Sequence, residues 1–166
     1  MKKSILFLIV TAVIFGGLFL LSLRSPKVKD QDLVKADPTK IIVTPEFIDF
    51  EKVKFGGGIV IKEYEIKNDS EGVLRLKKIV TSCMCTRASV SVDGKKTDFY
   101  AMEMGGDKNP RINFDIPAGK TAKLTVKFDP ALHGLKGIGK FDRVITLTFA
   151  DPVGIKEAKF SGEIIP

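Results

Sequence analysis

Histidine, cysteine and tryptophan are scarce in this chain of 166 residues. A single histidine, His133, excludes any metal or catalytic centre that needs two imidazoles. Two cysteines, Cys83 and Cys85, exclude both a disulfide-rich scaffold and a four-cysteine zinc site. Because tryptophan is absent and the cysteines are only two positions apart, the disulfide-and-tryptophan pin of antibody domains is also missing. What these absences leave is one unusual chemical feature, the Cys-x-Cys pair.

The N-terminal segment, residues 1–29, contains basic residues but no acidic ones. Five basic residues precede the first acid of the chain: Lys2, Lys3, Arg24, Lys27 and Lys29. The rest of the chain has 22 basic and 20 acidic residues, so the formal charge of +7 falls to +2 once this segment is set aside. The basic character therefore belongs to the N-terminus, and no nucleic-acid partner is expected.

One long uncharged run lies in the same segment. It extends from Ser4 to Leu23 and, as a helix, would span about 30 Å, the thickness of a bilayer core. No Ala-x-Ala cleavage site and no cysteine for lipidation follow the run. Residues 1–23 are therefore predicted to form a single transmembrane helix that serves as a signal anchor. A cleaved signal peptide is the alternative, and under both interpretations the folded part is exported.

The orientation follows from the short basic head, Lys2 and Lys3, which is typical of insertion with the N-terminus left inside the cell. Residues 24–40 contain lysines, aspartates and two prolines with almost no aromatic surface, so they are predicted to form a flexible tether. The expected product is a single-pass membrane protein whose domain, residues 41–166, is extracytoplasmic.

Apolar residues alternate with polar ones throughout this domain, which is the period of a strand with one buried and one wet face. In residues 122–128, for example, Leu124, Val126 and Phe128 alternate with polar neighbours. The same alternation recurs in residues 60–67, 141–149 and 158–164. Turn signals separate these segments, and no helical period persists. Short strands without helices predict an all-β fold, an immunoglobulin-like antiparallel β-sandwich.

A series of motifs in the domain resembles an exported bacterial family of unknown function. The motifs are Phe55-Gly56, Asn68, Ser82-Cys83-Met84-Cys85-Thr86, Pro117-Ala118-Gly119, Val126-Lys127-Phe128-Asp129-Pro130 and Gly162. The Ser-Cys-x-Cys-Thr string is the most specific of them, and the resemblance covers about residues 41–165. Members of that family carry one immunoglobulin-like domain related to the Hydin type. The resemblance implies this architecture and export, and it brings no settled activity with it.

The Cys-x-Cys pair has several interpretations. On a regular strand Cys83 and Cys85 face the same side with Cα atoms roughly 6.5 to 7 Å apart, at or beyond the upper limit for a disulfide. A bond therefore requires a bulge or turn at Met84. The pair either packs as two small apolar side chains, or forms a structural bridge, or supplies two thiolates that share one soft metal ion.

Soft or borderline metal ligands occur in two further segments. Met102 and Met104 supply thioethers, and His133 supplies an imidazole. Thiolate, thioether and imidazole together select Cu(I). The candidate ligands are therefore Cys83, Cys85, Met102, Met104 and His133. The structural alternative is that the methionines fill the end of the sandwich and that His133 caps a turn.

A cysteine enzyme is not expected, and neither catalytic residues nor an obligatory cofactor are predicted. In sortases and L,D-transpeptidases the histidine precedes the cysteine, whereas His133 follows Cys83 by 50 residues. The leading prediction is a membrane-tethered, extracytoplasmic binding or scaffold module of the bacterial cell envelope, with a protein partner in the envelope. The alternative is Cu(I) binding or thiol redox exchange at the Cys-x-Cys end of the sandwich.

Overall fold

The computed structural model describes residues 35–166, which form ten β-strands and two short 3-10 turns and contain no α-helix. The strands are β1 (Ile41–Thr44), β2 (Phe47–Lys54), β3 (Val60–Asn68), β4 (Leu74–Thr81), β5 (Thr86–Val92), β6 (Lys95–Lys96), β7 (Phe114–Ile116), β8 (Thr121–Phe128), β9 (Gly139–Phe149) and β10 (Ile155–Ile165). The 3-10 turns are Pro38–Lys40 and Gly134–Gly137. In this part of the chain no helix is long and apolar enough to cross a membrane.

The strands are divided between two sheets. One sheet has the order β1-β3-β8-β5-β6 and the other has the order β2-β10-β9-β4-β7. Most connections carry the chain from one sheet to the other, which produces a two-layer sandwich around one core. Among the described strand pairs, β2 and β10 are parallel and the others are antiparallel. The predicted all-β, immunoglobulin-like sandwich is confirmed, with one parallel pair in otherwise antiparallel sheets.

The core is built from the alternation that the sequence shows. In β8 the side chains of Leu124, Val126 and Phe128 are buried, as predicted. Four phenylalanine rings pack together in this core: Phe50, Phe128, Phe141 and Phe160. The rings of Phe128 and Phe141 stack with their centroids 4.6 Å apart. Because Phe128 ends β8 and Phe141 lies near the start of β9, this cluster supports both ends of the loop that joins the two strands.

Asn68, which the sequence marks as the end of a strand, is fully buried and joins three segments. Its Nδ2 donates to the carbonyl oxygens of Gly72, at 2.9 Å, and of Ile116, at 3.0 Å. Its Oδ1 accepts a hydrogen bond from the hydroxyl of Ser70 at 2.6 Å. One amide thus links the backbone just before β4 to the end of β7, and the carbonyl oxygen of Gly72 also accepts from the hydroxyl of Ser70 at 3.2 Å.

The end of the predicted tether lies against the domain. Of residues 35–40, Lys35 forms an isolated parallel bridge with Val73, and Ala36 is buried. Residues 35–40 thus contribute backbone pairing and a small buried side chain to the described domain. The predicted transmembrane helix and the earlier part of the tether, residues 1–34, lie outside the described residues.

Candidate functional site

The two cysteines lie in the turn that carries the chain from β4 in one sheet to β5 in the other. Backbone hydrogen bonds hold this turn: Thr86 N donates to Cys83 O at 3.1 Å, and Asp129 N donates to Cys85 O at 2.9 Å. The buried hydroxyl of Thr81 lies 2.9 Å from Cys83 O as a further donor. None of these three bonds uses a sulfur atom, whereas a fourth, from Cys85 N to Cys83 Sγ at 3.3 Å, does. Both the backbone and the cysteine pair therefore hold the turn.

Cys83 and Cys85 are joined by a disulfide. The turn at Met84 brings their Cα atoms to 5.3 Å, which is within the usual range for a disulfide and shorter than the spacing on a straight strand. Cys83 is 8% exposed and Cys85 is 3% exposed. The structure therefore shows the bridged form of the pair, with the turn that such a bridge requires.

His133 lies against one sulfur of the disulfide. Its Nε2 is 3.1 Å from Cys83 Sγ. The residue immediately precedes the 3-10 turn Gly134–Gly137, but its side chain makes no capping hydrogen bond to that turn. The two Sγ atoms and a ring nitrogen of His133 all lie within 4.8 Å of one another. The imidazole is thus placed beside the cysteines and does not serve as a turn cap.

Arg143, which sequence reasoning did not single out, contacts the other sulfur. Its Nε donates to Cys85 Sγ at 3.4 Å. Partial burial lowers the pKa of Arg143 from its ordinary value while the neighbouring Asp142 opposes that shift, and an arginine remains a cation at neutral pH. A signal was present in the sequence, because Arg143 lies in the inward phase of β9 between Phe141 and Ile145. A charged residue in that phase needs a partner in the core, and the sulfur is such a partner.

Met102 and Met104 lie in the connection between β6 and β7, whose conformation brings them to the same end of the sandwich. Asn109 ties this connection to β4, because its Nδ2 donates to the carbonyl oxygen of Ile79 at 3.0 Å. The methionine side chains are 39% and 51% exposed. They therefore do not form the buried plug that was the structural alternative, and their thioethers are accessible.

These side chains line one open groove of about 640 Å³, which we call the cysteine groove. Its walls include Cys83, Met84, Met102, Met104, His133 and Arg143. Four of the five ligands predicted from the sequence thus line one surface, and the fifth, Cys85, is bonded to Cys83. Three segments that are distant in sequence supply them, and their meeting point depends on the pairing of strands across the fold.

The chemistry of the groove depends on its redox state. In the oxidised form it presents a disulfide with a nitrogen group close to each sulfur. In the reduced form it would present two thiolates, an imidazole and thioethers, which is a soft donor set. The guanidinium of Arg143 lies beside the Cys85 sulfur and favours negative charge there. The arrangement therefore suits soft-metal binding and thiol–disulfide exchange.

Comparison with known proteins supports the fold of the domain but assigns no activity to it. No protein-family model matches the sequence, and no curated protein matches it. A protein of unknown function from Porphyromonas gingivalis W83 superposes with a TM-score of 0.54 at 18% identity, covering 75% of this chain and 46% of that chain. The present chain thus spans less than half of that protein. The PapD-like domain 7 of human CEP192 superposes with a TM-score of 0.49 at 14% identity, covering 85% of this chain and 96% of that domain.

Proposed function

We propose that this protein is a membrane-tethered binding domain of the bacterial cell envelope whose ligand is Cu(I). Reduced Cys83 and Cys85 hold the ion together with His133, and Met102 and Met104 line the same groove. The observation that carries the proposal is the meeting of these donors: two sulfur atoms and one imidazole nitrogen lie within 4.8 Å of one another. In this proposal the domain binds its ligand and does not act as an enzyme.

The donor set determines which metal fits. Sulfur ligands select Cu(I), whereas structural zinc sites use four thiolate or imidazole ligands, of which only three are present here. A metal–thiolate bond is about 2.3 Å long for zinc, so ligands on opposite sides of one such ion are about 4.6 Å apart. In the oxidised structure the two Sγ atoms are bonded to each other, so coordination of one ion requires both reduction and an increase in their separation. The imidazole of His133 already lies within 4.8 Å of both sulfurs. Two thiolates and one Cu(I) carry a net negative charge, which the guanidinium of Arg143 offsets.

Binding requires the reduced pair, because the thiolate is the metal ligand and a disulfide sulfur is not. We expect the reduced full-length chain, in detergent and without oxygen, to take one Cu(I) from a chromogenic Cu(I) chelator and to bind Zn(II) more weakly. The oxidised chain has the same sequence and serves as the matched control, for which no uptake is expected. Equal uptake by the two forms, or a preference for Zn(II), would contradict the proposal.

The envelope location rests on the sequence of the N-terminal segment. The uncharged run from Ser4 to Leu23 is long enough to span a bilayer, and the resemblance to an exported family supports the same placement. We expect the full-length chain to fractionate with membranes, to resist carbonate extraction and to keep its original N-terminus. A soluble form that begins shortly after Ser22 or Ser25 would show that the run is a cleaved signal peptide.

A protein-binding role is the second candidate, favoured by a second groove on the other side of the cysteine turn. Ile59, Phe99 and Leu132 are among its lining residues, together with Met84 and Cys85. The side chains of Ile59 and Leu132 are 60% and 45% exposed. Exposed apolar residues grouped in this way mark interaction surfaces. The Cu(I) titration separates the two functions, because a purely protein-binding domain gains no Cu(I) affinity on reduction.

A further inference from the structure

The two sulfur atoms of the disulfide have different neighbours. Cys83 is the more exposed of the pair, lines the cysteine groove and has the imidazole of His133 beside it. Cys85 is the more deeply buried, and its Sγ accepts a hydrogen bond from Arg143. In thiol–disulfide exchange one sulfur is attacked and the other leaves as a thiolate, and the bond breaks faster when the leaving thiolate is stabilised. The permanent cation beside Cys85 therefore favours cleavage in one direction.

We propose that the Cys83–Cys85 disulfide undergoes exchange with a dithiol partner, with attack at Cys83 and with Arg143 stabilising the Cys85 thiolate that leaves. Charge decides this direction, because each cysteine lines a groove and the permanent cation of Arg143 lies beside the Cys85 sulfur. The substrate class is a molecule with two neighbouring thiols.

The exchange has two steps. In the first, a partner thiolate attacks Cys83 Sγ, a mixed disulfide forms, and the electron pair of the broken bond stays on Cys85 Sγ. In the second, the partner's other thiolate attacks its own first sulfur and releases Cys83 as a thiolate beside His133. The partner loses two electrons and becomes a disulfide, while the domain gains them and becomes a dithiol. The two protons of the partner's thiols pass to solvent or to the new thiolates.

This reaction deepens the proposed function, and its biological role rests on that function, because only the reduced pair can bind Cu(I). Exchange itself needs no metal. Both experiments below use a metal chelator, so that a failure of exchange and a failure of Cu(I) binding are distinguishable.

The direction of attack can be mapped directly. Oxidised full-length protein is treated with reduced glutathione, quenched with iodoacetamide and digested with trypsin. Both cysteines fall in the tryptic peptide 79–87, and fragmentation on either side of Met84 assigns each modification. We expect glutathione on Cys83 and the carbamidomethyl group on Cys85. Glutathione mainly on Cys85, or equally on both, would overturn the direction, and an unreactive disulfide would overturn the exchange.

The contribution of Arg143 is tested by substitution. Arg143→Gln is expected to slow reduction by dithiothreitol roughly tenfold, the effect of losing one hydrogen bond to a charged sulfur. The equilibrium constant for reduction should fall by a similar factor, which corresponds to about 30 mV for a two-electron couple. Arg143→Lys keeps the cation and should recover most of the rate. Arg143→Met, which keeps an unbranched buried stem, replaces the glutamine variant if that variant does not fold.

Arg87→Gln is the matched control. Arg87 is exposed on β5 near the same turn, and among the contacts of the described residues it has none with either sulfur. The substitution removes the same charge from the same end of the domain, and we expect a change in rate of less than about twofold. Equal effects of Arg87→Gln and Arg143→Gln would show that only the general field matters and would overturn the role given to Arg143.

Discussion

Replacing both cysteines by serine is expected to leave the domain folded and to abolish its stabilisation by Cu(I). A ligand that binds only the folded state stabilises it by mass action, by about 2.7 kcal/mol when free ligand is a hundredfold above the Kd. Reduced wild-type protein should gain that stability on adding Cu(I), whereas the Cys83→Ser, Cys85→Ser double variant should gain none. Thermal or urea unfolding of the two proteins with and without Cu(I) measures the difference.

Each of the three remaining candidate ligands should contribute part of the Cu(I) affinity. Single substitutions Met102→Leu, Met104→Leu and His133→Ala are each expected to weaken Cu(I) binding without abolishing it, because the two thiolates remain. Oxidised wild-type protein is the control, since it keeps every side chain in place and lacks only the free thiols. If reduced wild-type protein shows no Cu(I) affinity above that of the double variant, the metal role is wrong and the protein-binding role takes its place.

The second large effect is expected in the core. Phe128 is 1% exposed, and its ring packs against those of Phe50, Phe141 and Phe160. Phe128→Ala removes a large buried ring and leaves a cavity, so the free energy of unfolding should fall by roughly 3 to 5 kcal/mol. Equilibrium unfolding in urea measures this fall.

The matched control lies on the wet face of the same strand. Lys123 is exposed in β8 and forms an ion pair with Glu63 at 3.0 Å, in which the two side chains are 55% and 49% exposed. Exposed pairs contribute little, so Lys123→Ala should change stability by no more than about half a kcal/mol. Similar costs for the two substitutions would mean that the assigned faces of β8 are wrong.

Local alternation was sufficient to predict four of the ten strands, β3, β8, β9 and β10, and their buried faces. Alternation in β8 placed Leu124, Val126 and Phe128 in the core, because a period of two directly reports which face meets the opposite sheet. The burial and hydrogen bonding of Asn68 could not be predicted in this way. Its partners Gly72 and Ile116 are brought together by the turn and by the pairing of β4 with β7, and no local pattern reports a buried amide of this kind.

The residue types of the candidate site could be predicted from the sequence, but the position at which these residues meet in the fold could not. Met102, His133 and Cys83 have soft or borderline ligand side chains, which the sequence shows directly. Their convergence depends on strand pairings between distant segments, which it does not show. Arg143 is not a metal-ligand type, so the pattern of soft ligands does not predict it. Arg143 is a charged residue at an inward-facing position of β9, where the alternation predicts an apolar one. Such an exception indicates a polar partner in the core.

The short span of the disulfide has a consequence for chain entropy. The bond closes a loop of only three residues, and on the usual loop-closure relation such a loop restricts the unfolded chain by about 1.6 kcal/mol. The turn also keeps its sulfur-independent hydrogen bonds from Thr86, Asp129 and Thr81 when the bond opens. Electrons can thus enter and leave this site at little cost in folding free energy. We expect the backbone path of the turn to be retained in both redox states, because these three hydrogen bonds do not involve sulfur.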